Sequence, residues 1–214
     1  MNTSTKSTTV SARRRTREQI LEAIRNAAIQ EFSSNGFKGT STQKIAELAG
    51  LSKPQLHYYI PSKEELFKEL LFSILYSWGD AFAFDPQSED PKTVLSRYVQ
   101  RKLEYALQNP ELSRIFTNEL LSGGTRLDDY WPDAFASTRR KVLVIEQWIA
   151  DGKIRPLNAL IFIQQIWGMT QYYADYALQA QVMMDTSLED RALQQKIVHE
   201  LTTSVLLICG LAPD

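Results

Sequence analysis

GTSTQKIAELAGLSKPQLHYYIPSKEEL, residues 39 to 66, decides the fold. Ser41 and Thr42 can cap a short helix, Gln43 to Ala49, with Ile45, Ala46 and Ala49 facing inward. Gly50 suits the left-handed position that ends a helix, and Leu51 plugs the turn. Ser52 caps a second short helix, Lys53 to Tyr59, whose first turn tolerates Pro54 because the missing N–H has no helical partner there. Pro61 stops that helix, and Ser62 with Glu65 three residues on forms a capping box for the next. Two short helices around a glycine turn, inside a basic three-helix unit, fit a helix-turn-helix that reads DNA.

The face of the second helix supplies the chemistry. Leu56 and Ile60 can point to the core with Tyr58 packing beside them, which turns Lys53, Gln55, His57 and Tyr59 outward. Singly, each is an ordinary solvated position. Together they offer a carboxamide for adenine edges, a cation for guanine edges or phosphates, and a phenol for phosphate oxygens. Upstream, Ile20, Leu21, Ile24, Ala27, Ala28 and Phe32 give a helical stripe from Arg17 to Ser34, ended by Asn35-Gly36. Before it, residues 1–12 are Ser/Thr-rich and expected to be disordered. Arg13, Arg14, Arg15 and Arg17 form a basic arm, readable as a solvated charge run or as a phosphate or minor-groove contact. Residues 1–63 carry ten Lys/Arg against four Glu, +6, so a chain of net charge −1 leaves −7 for the rest. A basic head on an acidic body points to a polyanionic partner for the head alone.

The remainder reads as helices at about 63–84, 92–108, 111–121, 131–151, 157–184 and 188–211, with no period-2 strand and no internal repeat. The 43% apolar content of the 214 residues supports a sizeable core. One cysteine, Cys209, excludes an internal disulfide and a thiolate metal cage and suits a reducing, cytoplasmic setting. The basic N-terminus lacks the apolar run of a secretory signal, and no membrane role is expected. Enzyme signatures are missing. His57 and His199 stand outside any His-Glu-x-x-His pattern, and Gly123-Gly124 is an isolated break rather than a phosphate loop. No metal or cofactor is expected.

The stretch from Gly39 to Leu66 resembles the signature of the TetR family of bacterial transcriptional regulators, with Ile60 where an aromatic residue is usual. The resemblance implies an all-helical fold of nine or ten helices. Residues 1–16 would be a flexible basic arm, 17–63 the helix-turn-helix DNA-binding domain, and 64–214 a ligand-binding and dimerisation domain. Carried over residue by residue, it assigns Thr42, Tyr59 and Lys63 to phosphates, and Gln43, Lys53, Pro54, Gln55 and His57 to bases or sugars. Lys44 completes the DNA-facing set. It also implies a homodimer on a palindromic operator, built on the last helices. Leu193, Ile197, Leu201, Val205 and Ile208 form a suitable stripe there, and Phe162, Ile166 and Tyr173 a second face.

The body resembles the RutR-like subgroup of pyrimidine-utilisation regulators through KLEYALQNPELSRIF (102–116), ELLSG (119–123) and IWGMTQYYADYA (166–177). That implies a repressor of pyrimidine or nitrogen genes, released from double-stranded DNA by a nucleobase such as uracil or thymine. The chemistry permits it. Trp167 and Gln171 lie about 40° apart on one helical face. A carboxamide can pair bidentately with a pyrimidine dione while an indole stacks on the ring. Trp78, Lys102, Tyr105, Asn118 and Glu119 are further candidates for the pocket wall. Two alternatives stay open: a helix whose amide is satisfied locally, and a pocket for an acyl compound, a drug or a small acid. Asp175 could serve the pocket, a cap or the dimer.

Overall fold

The structure, a computed structural model, describes residues 15–81, 84 and 90–213. Arg13 and Arg14 of the arm lie outside the described residues, as does most of the segment expected to finish the fourth helix. Among the described residues there are ten helices and no strand. They are α1 (Arg17–Gly39), α2 (Thr42–Ala49), α3 (Lys53–Tyr59), α4 (Lys63–Ala81), α5 (Pro91–Gln108), α6 (Pro110–Leu121), α7 (Trp131–Ala150), α8 (Ala159–Asp175), α9 (Ala177–Met184) and α10 (Arg191–Ile208).

Local chemistry sets most boundaries. Thr16 and Gln19 form a reciprocal capping box at α1, and Ser52 and Gln55 another at α3. Gly50 adopts φ 69° at the C-cap of α2, a conformation a side chain would strain. The break expected at Asn35-Gly36 occurs inside α1. Gly36 has φ 62°, and one further turn carries the chain to Gly39. The stretch 157–184, read as one helix, is two. Tyr176, at φ −110° and ψ 28°, separates α8 from α9. Neither Pro nor Gly marks the spot. Packing sets it, because α9 buries Ala180 against Leu103 and Ile197.

Three apolar clusters hold the chain. The first joins Ile24, Phe32, Ile45 and Leu56 of the head to Phe67, Leu71 and Ile74 of α4, then to Ile115 of α6 and Leu127 beyond it. The head therefore shares its core with the body. The second packs α5, α7, α8 and α10 around Leu95, Val99, Ile145, Phe162, Ile163, Ile166 and Cys209. The third is small and seats α9.

Those clusters correct the dimer assignment. Phe162, Ile166 and Val205 are buried in the protomer's second cluster and Ile197 in its third, so these side chains pack within the protomer and present no exposed face of their own. The stripe reading chose the residues with the best helical spacing, and helices that bury two faces put that stripe into their own core. Tyr173, Leu201 and Ile208 are half-buried and also pack inward. The apolar residues left exposed on these helices are Leu160, Ile161 and Leu207. Among the described residues, no helix is long and apolar enough to cross a membrane.

Candidate functional site

The head presents α3 outward. Lys53, Pro54, Gln55 and His57 are exposed, while Leu56 and Ile60 are buried. Tyr58 and Tyr59 exchange the places the sequence suggested. Tyr58 is 83% exposed, whereas Tyr59 is half-buried against the first cluster, and their rings meet edge-to-face at 5.2 Å. The reason is angular. Tyr59 lies three residues after Leu56 and shares its side of the helix, and Tyr58 does not. Arg15, Arg17, Ile20, Gln55, Tyr58 and Tyr59 line an open groove beside α3.

Several expected DNA contacts already have intramolecular partners. The Gln55 side-chain oxygen accepts the Ser52 N–H at 2.8 Å, which leaves its NH₂ for a base. Gln43 donates to Glu47 at 3.0 Å, and Lys44 pairs with Glu47 at 3.7 Å; all three are exposed, so these bonds exchange readily with water or phosphate. Lys63, expected at a phosphate, is already engaged within the head. Its ammonium donates to the carbonyls of Phe37 (2.9 Å) and Thr40 (3.0 Å) and sits 4.4 Å over the Phe37 ring. It braces the turn before α2. Thr42 is half-buried at the start of that helix.

Base and phosphate contacts on this face separate by experiment. Gln55→Glu keeps the capping box but replaces the free NH₂ with an anion. It is expected to change which operator bases are preferred. Lys44→Ala, which removes an exposed cation of the DNA-facing set with no base assigned to it, should weaken all sequences alike and lower the salt slope of binding by roughly 0.9. Binding to a panel of operator variants at several salt concentrations checks both, and equal effects from the two variants would dissolve the distinction.

The joint between head and body is built on Arg126. Glu119 of α6, 2% exposed, accepts the Arg126 backbone N–H at 3.1 Å and pairs with its guanidinium at 3.3 Å. The same guanidinium lies 3.6 Å from the centre of the Phe37 ring and 3.7 Å from Glu64. Glu119, expected in the effector pocket, instead fastens the loop after α6 onto the head. Asn118, its neighbour, is half-buried on the same helix.

The effector candidates fall into two groups. In the first, the Trp167 indole donates to the Tyr98 hydroxyl at 2.7 Å. The Gln171 carboxamide donates to Ser113 Oγ and, at 3.3 Å, to Asp175, whose other oxygen accepts from Thr117 at 2.8 Å. Asp175 thus belongs to a bridge between α8 and α6. Burial pushes its carboxyl above the usual range, against the opposing pull of the Thr117 and Gln171 hydrogen bonds. Gln171 is locally satisfied in this conformation. In the second group, Trp78 meets Phe116 (4.8 Å) and Tyr105 (6.1 Å) edge-to-face, and the Lys102 ammonium lies 5.2 Å from the Trp78 ring. The Tyr105 hydroxyl reaches Ser77 of α4 at 3.4 Å. The buried Trp78 Nε1–H has no acceptor among the described residues.

Arg126, Ser113, Thr117 and Tyr98 escaped the sequence reading. Ser113 and Thr117 stand four apart on α6, a spacing that places them on one face, but nothing local names their partners 58 residues away.

Comparison with known proteins agrees with this arrangement. Residues 24–70 match the model of bacterial regulatory proteins of the tetR family, and residues 71–212 match that of the YcdC-like protein C-terminal region. The chain is 35% identical over 193 residues to the HTH-type transcriptional regulator RutR of Escherichia coli K12, covering 90% of each. Its fold is similar to that of the ketosteroid transcriptional regulator KstR2 of Mycobacterium tuberculosis, with TM-score 0.72 at 19% identity over 94% of this chain and 98% of that one. It is also similar to AibR in complex with isovaleryl coenzyme A and operator DNA, with TM-score 0.66 at 16% identity over 86% and 97%. The two family models together span the helix-turn-helix and the body, and the chain belongs to the TetR family of transcriptional regulators, which are not enzymes.

Proposed function

We propose that this chain is a homodimeric repressor of pyrimidine or nitrogen metabolism genes that leaves a palindromic operator when its body binds a nucleobase such as uracil or thymine. The observation that carries an acceptor-bearing effector is the buried Trp78 indole N–H, without a partner among the described residues, on the helix that runs from the head into the body. A carbonyl oxygen would satisfy it. The pyrimidine assignment is supported by the likeness to RutR over nine-tenths of both chains. Leu160, Ile161 and Leu207 offer the partner an apolar face on α8 and α10.

Release then follows from the α6–α8 bridge. A base that takes the Gln171 carboxamide displaces Ser113 and Asp175, and so detaches α6 from α8. The far end of α6 holds Glu119 and, through Arg126, the head. Base binding therefore favours a conformation in which the two recognition helices no longer match successive major grooves. Calorimetry with uracil, thymine, cytosine and a short acyl compound tests this. Uracil or thymine should bind and weaken operator affinity. Gln171→Leu should abolish that binding while the dimer and DNA binding persist. Binding of the acyl compound with none of the bases overturns the reading.

A further inference from the structure

We propose that Phe37 is a positioning residue for DNA binding. Its ring seats a cation of the head, Lys63, together with a cation of the body, Arg126, and so places the Lys63 ammonium for the DNA backbone. The inference concerns the duplex alone and stands whichever effector the body takes.

The local chain builds the seat. Gly36, at φ 62°, turns the last residues of α1 aside. Thr40, 4% exposed, fastens the turn that follows, its hydroxyl 2.8 Å from the Gly36 carbonyl and 3.1 Å from that of Glu31. Phe37 is thereby laid against Phe32, stacked at 6.2 Å, and edge-on to Phe67 of α4 at 5.1 Å. The ring stays half-buried, so part of it is open to other groups.

Two cations take that opening. The Arg126 guanidinium lies 3.6 Å from the ring centre and the Lys63 ammonium 4.4 Å, both within the range in which a ring face attracts a cation. They differ in what else holds them. Arg126 is neutralised by Glu119 at 3.3 Å and borders Glu64. Lys63 is held by the carbonyls of Phe37 and Thr40 and by the ring, none of which neutralises it. All three partners come from the one short stretch 37–40. An ammonium has three donors. Two are taken, and the third, with the uncompensated charge, is left for a phosphate. Lys63 opens α4, four residues after α3 ends, on the side of the head that follows the reading helix.

The dependence runs in one direction. Arg126 of the body holds the ring, the ring and its own carbonyl hold Lys63, and Lys63 meets the duplex. Neither Phe37 nor Arg126 has to touch DNA for its loss to be felt there.

Equilibrium binding of the full-length protein to operator and to a random duplex, each at several salt concentrations, tests this. Phe37→Leu keeps an apolar side chain against Phe32 and Phe67 and removes the ring. It is expected to weaken both duplexes about tenfold, the loss of one hydrogen bond to a charged group, and to lower the salt slope by roughly 0.9. Phe37→Tyr restores the ring face and should bind as the parent does. In a Lys63→Ala background, Phe37→Leu should weaken binding by less than about a further twofold. Glu119→Gln/Arg126→Leu removes the body's cation without stranding a carboxylate. It should weaken both duplexes alike, and that effect too should vanish in the Lys63→Ala background. Phe37→Met takes the place of the leucine variant if that protein does not fold. An unchanged salt slope in Phe37→Leu, effects of Phe37→Leu and Lys63→Ala that add, or a tyrosine variant as weak as the leucine overturns the inference. So does parental affinity in Glu119→Gln/Arg126→Leu.

Discussion

Arg126→Ala is expected to lower folding stability by about 3–5 kcal/mol, the usual penalty for removing one partner of a buried ion pair. Glu119 would keep the backbone N–H of residue 126 and lose the guanidinium that neutralises it. The Phe37 ring would lose the cation stacked on it at 3.6 Å. Much of the penalty is the carboxylate left stranded, so the joint double variant Glu119→Gln/Arg126→Leu should recover most of it. Urea unfolding of the parent, Glu119→Gln, Arg126→Leu and the double variant gives the double-mutant cycle. A loss below about 1 kcal/mol for Arg126→Ala would reduce the joint to a surface contact.

The second large effect is expected at Leu56. Seven residues make too short a helix to persist in water, so α3 exists because it is held. Leu56 is the one fully buried side chain within it, packed into the first cluster with Phe32 and Ile45. Leu56→Ala should destabilise the chain by about 2–5 kcal/mol. It should also weaken operator binding on every sequence, because the whole reading surface loosens at once. Circular dichroism against urea measures the first and titration with operator and random duplex the second. Lost operator preference with unchanged stability would mean that Leu56 contributes to recognition and the core is held elsewhere.

The head was legible in the sequence because its signals are local. Ser41, Gly50, Ser52, Pro54 and Pro61 each act within four residues, and the caps they announce are present or within one residue of it. The body was legible as helices and less so as a site. Glu119 looked like a polar pocket residue because α6 is amphipathic, yet its partner follows seven residues later in a loop whose fold no periodicity specifies. Phe162 and Ile166 have the spacing of an interface, but spacing does not say which of two apolar faces a protomer buries by itself. Tyr176 breaks a helix with no breaker residue, because the packing of α9 outweighs a weak local preference. Gln171 and Trp167 lie on one face as expected, and it took their partners Ser113 and Tyr98 to show both already engaged.

Arg15 adds a geometric point about the arm. Its guanidinium donates to the Ala49 carbonyl at 2.9 Å, and Gly50 leaves room for it where a Cβ would come within 3.4 Å. The chain therefore enters the fold at a fixed point, next to the groove that borders α3. An anion drawn to α3 thus meets the Arg15 guanidinium already in place, its ordering cost met on folding rather than on binding.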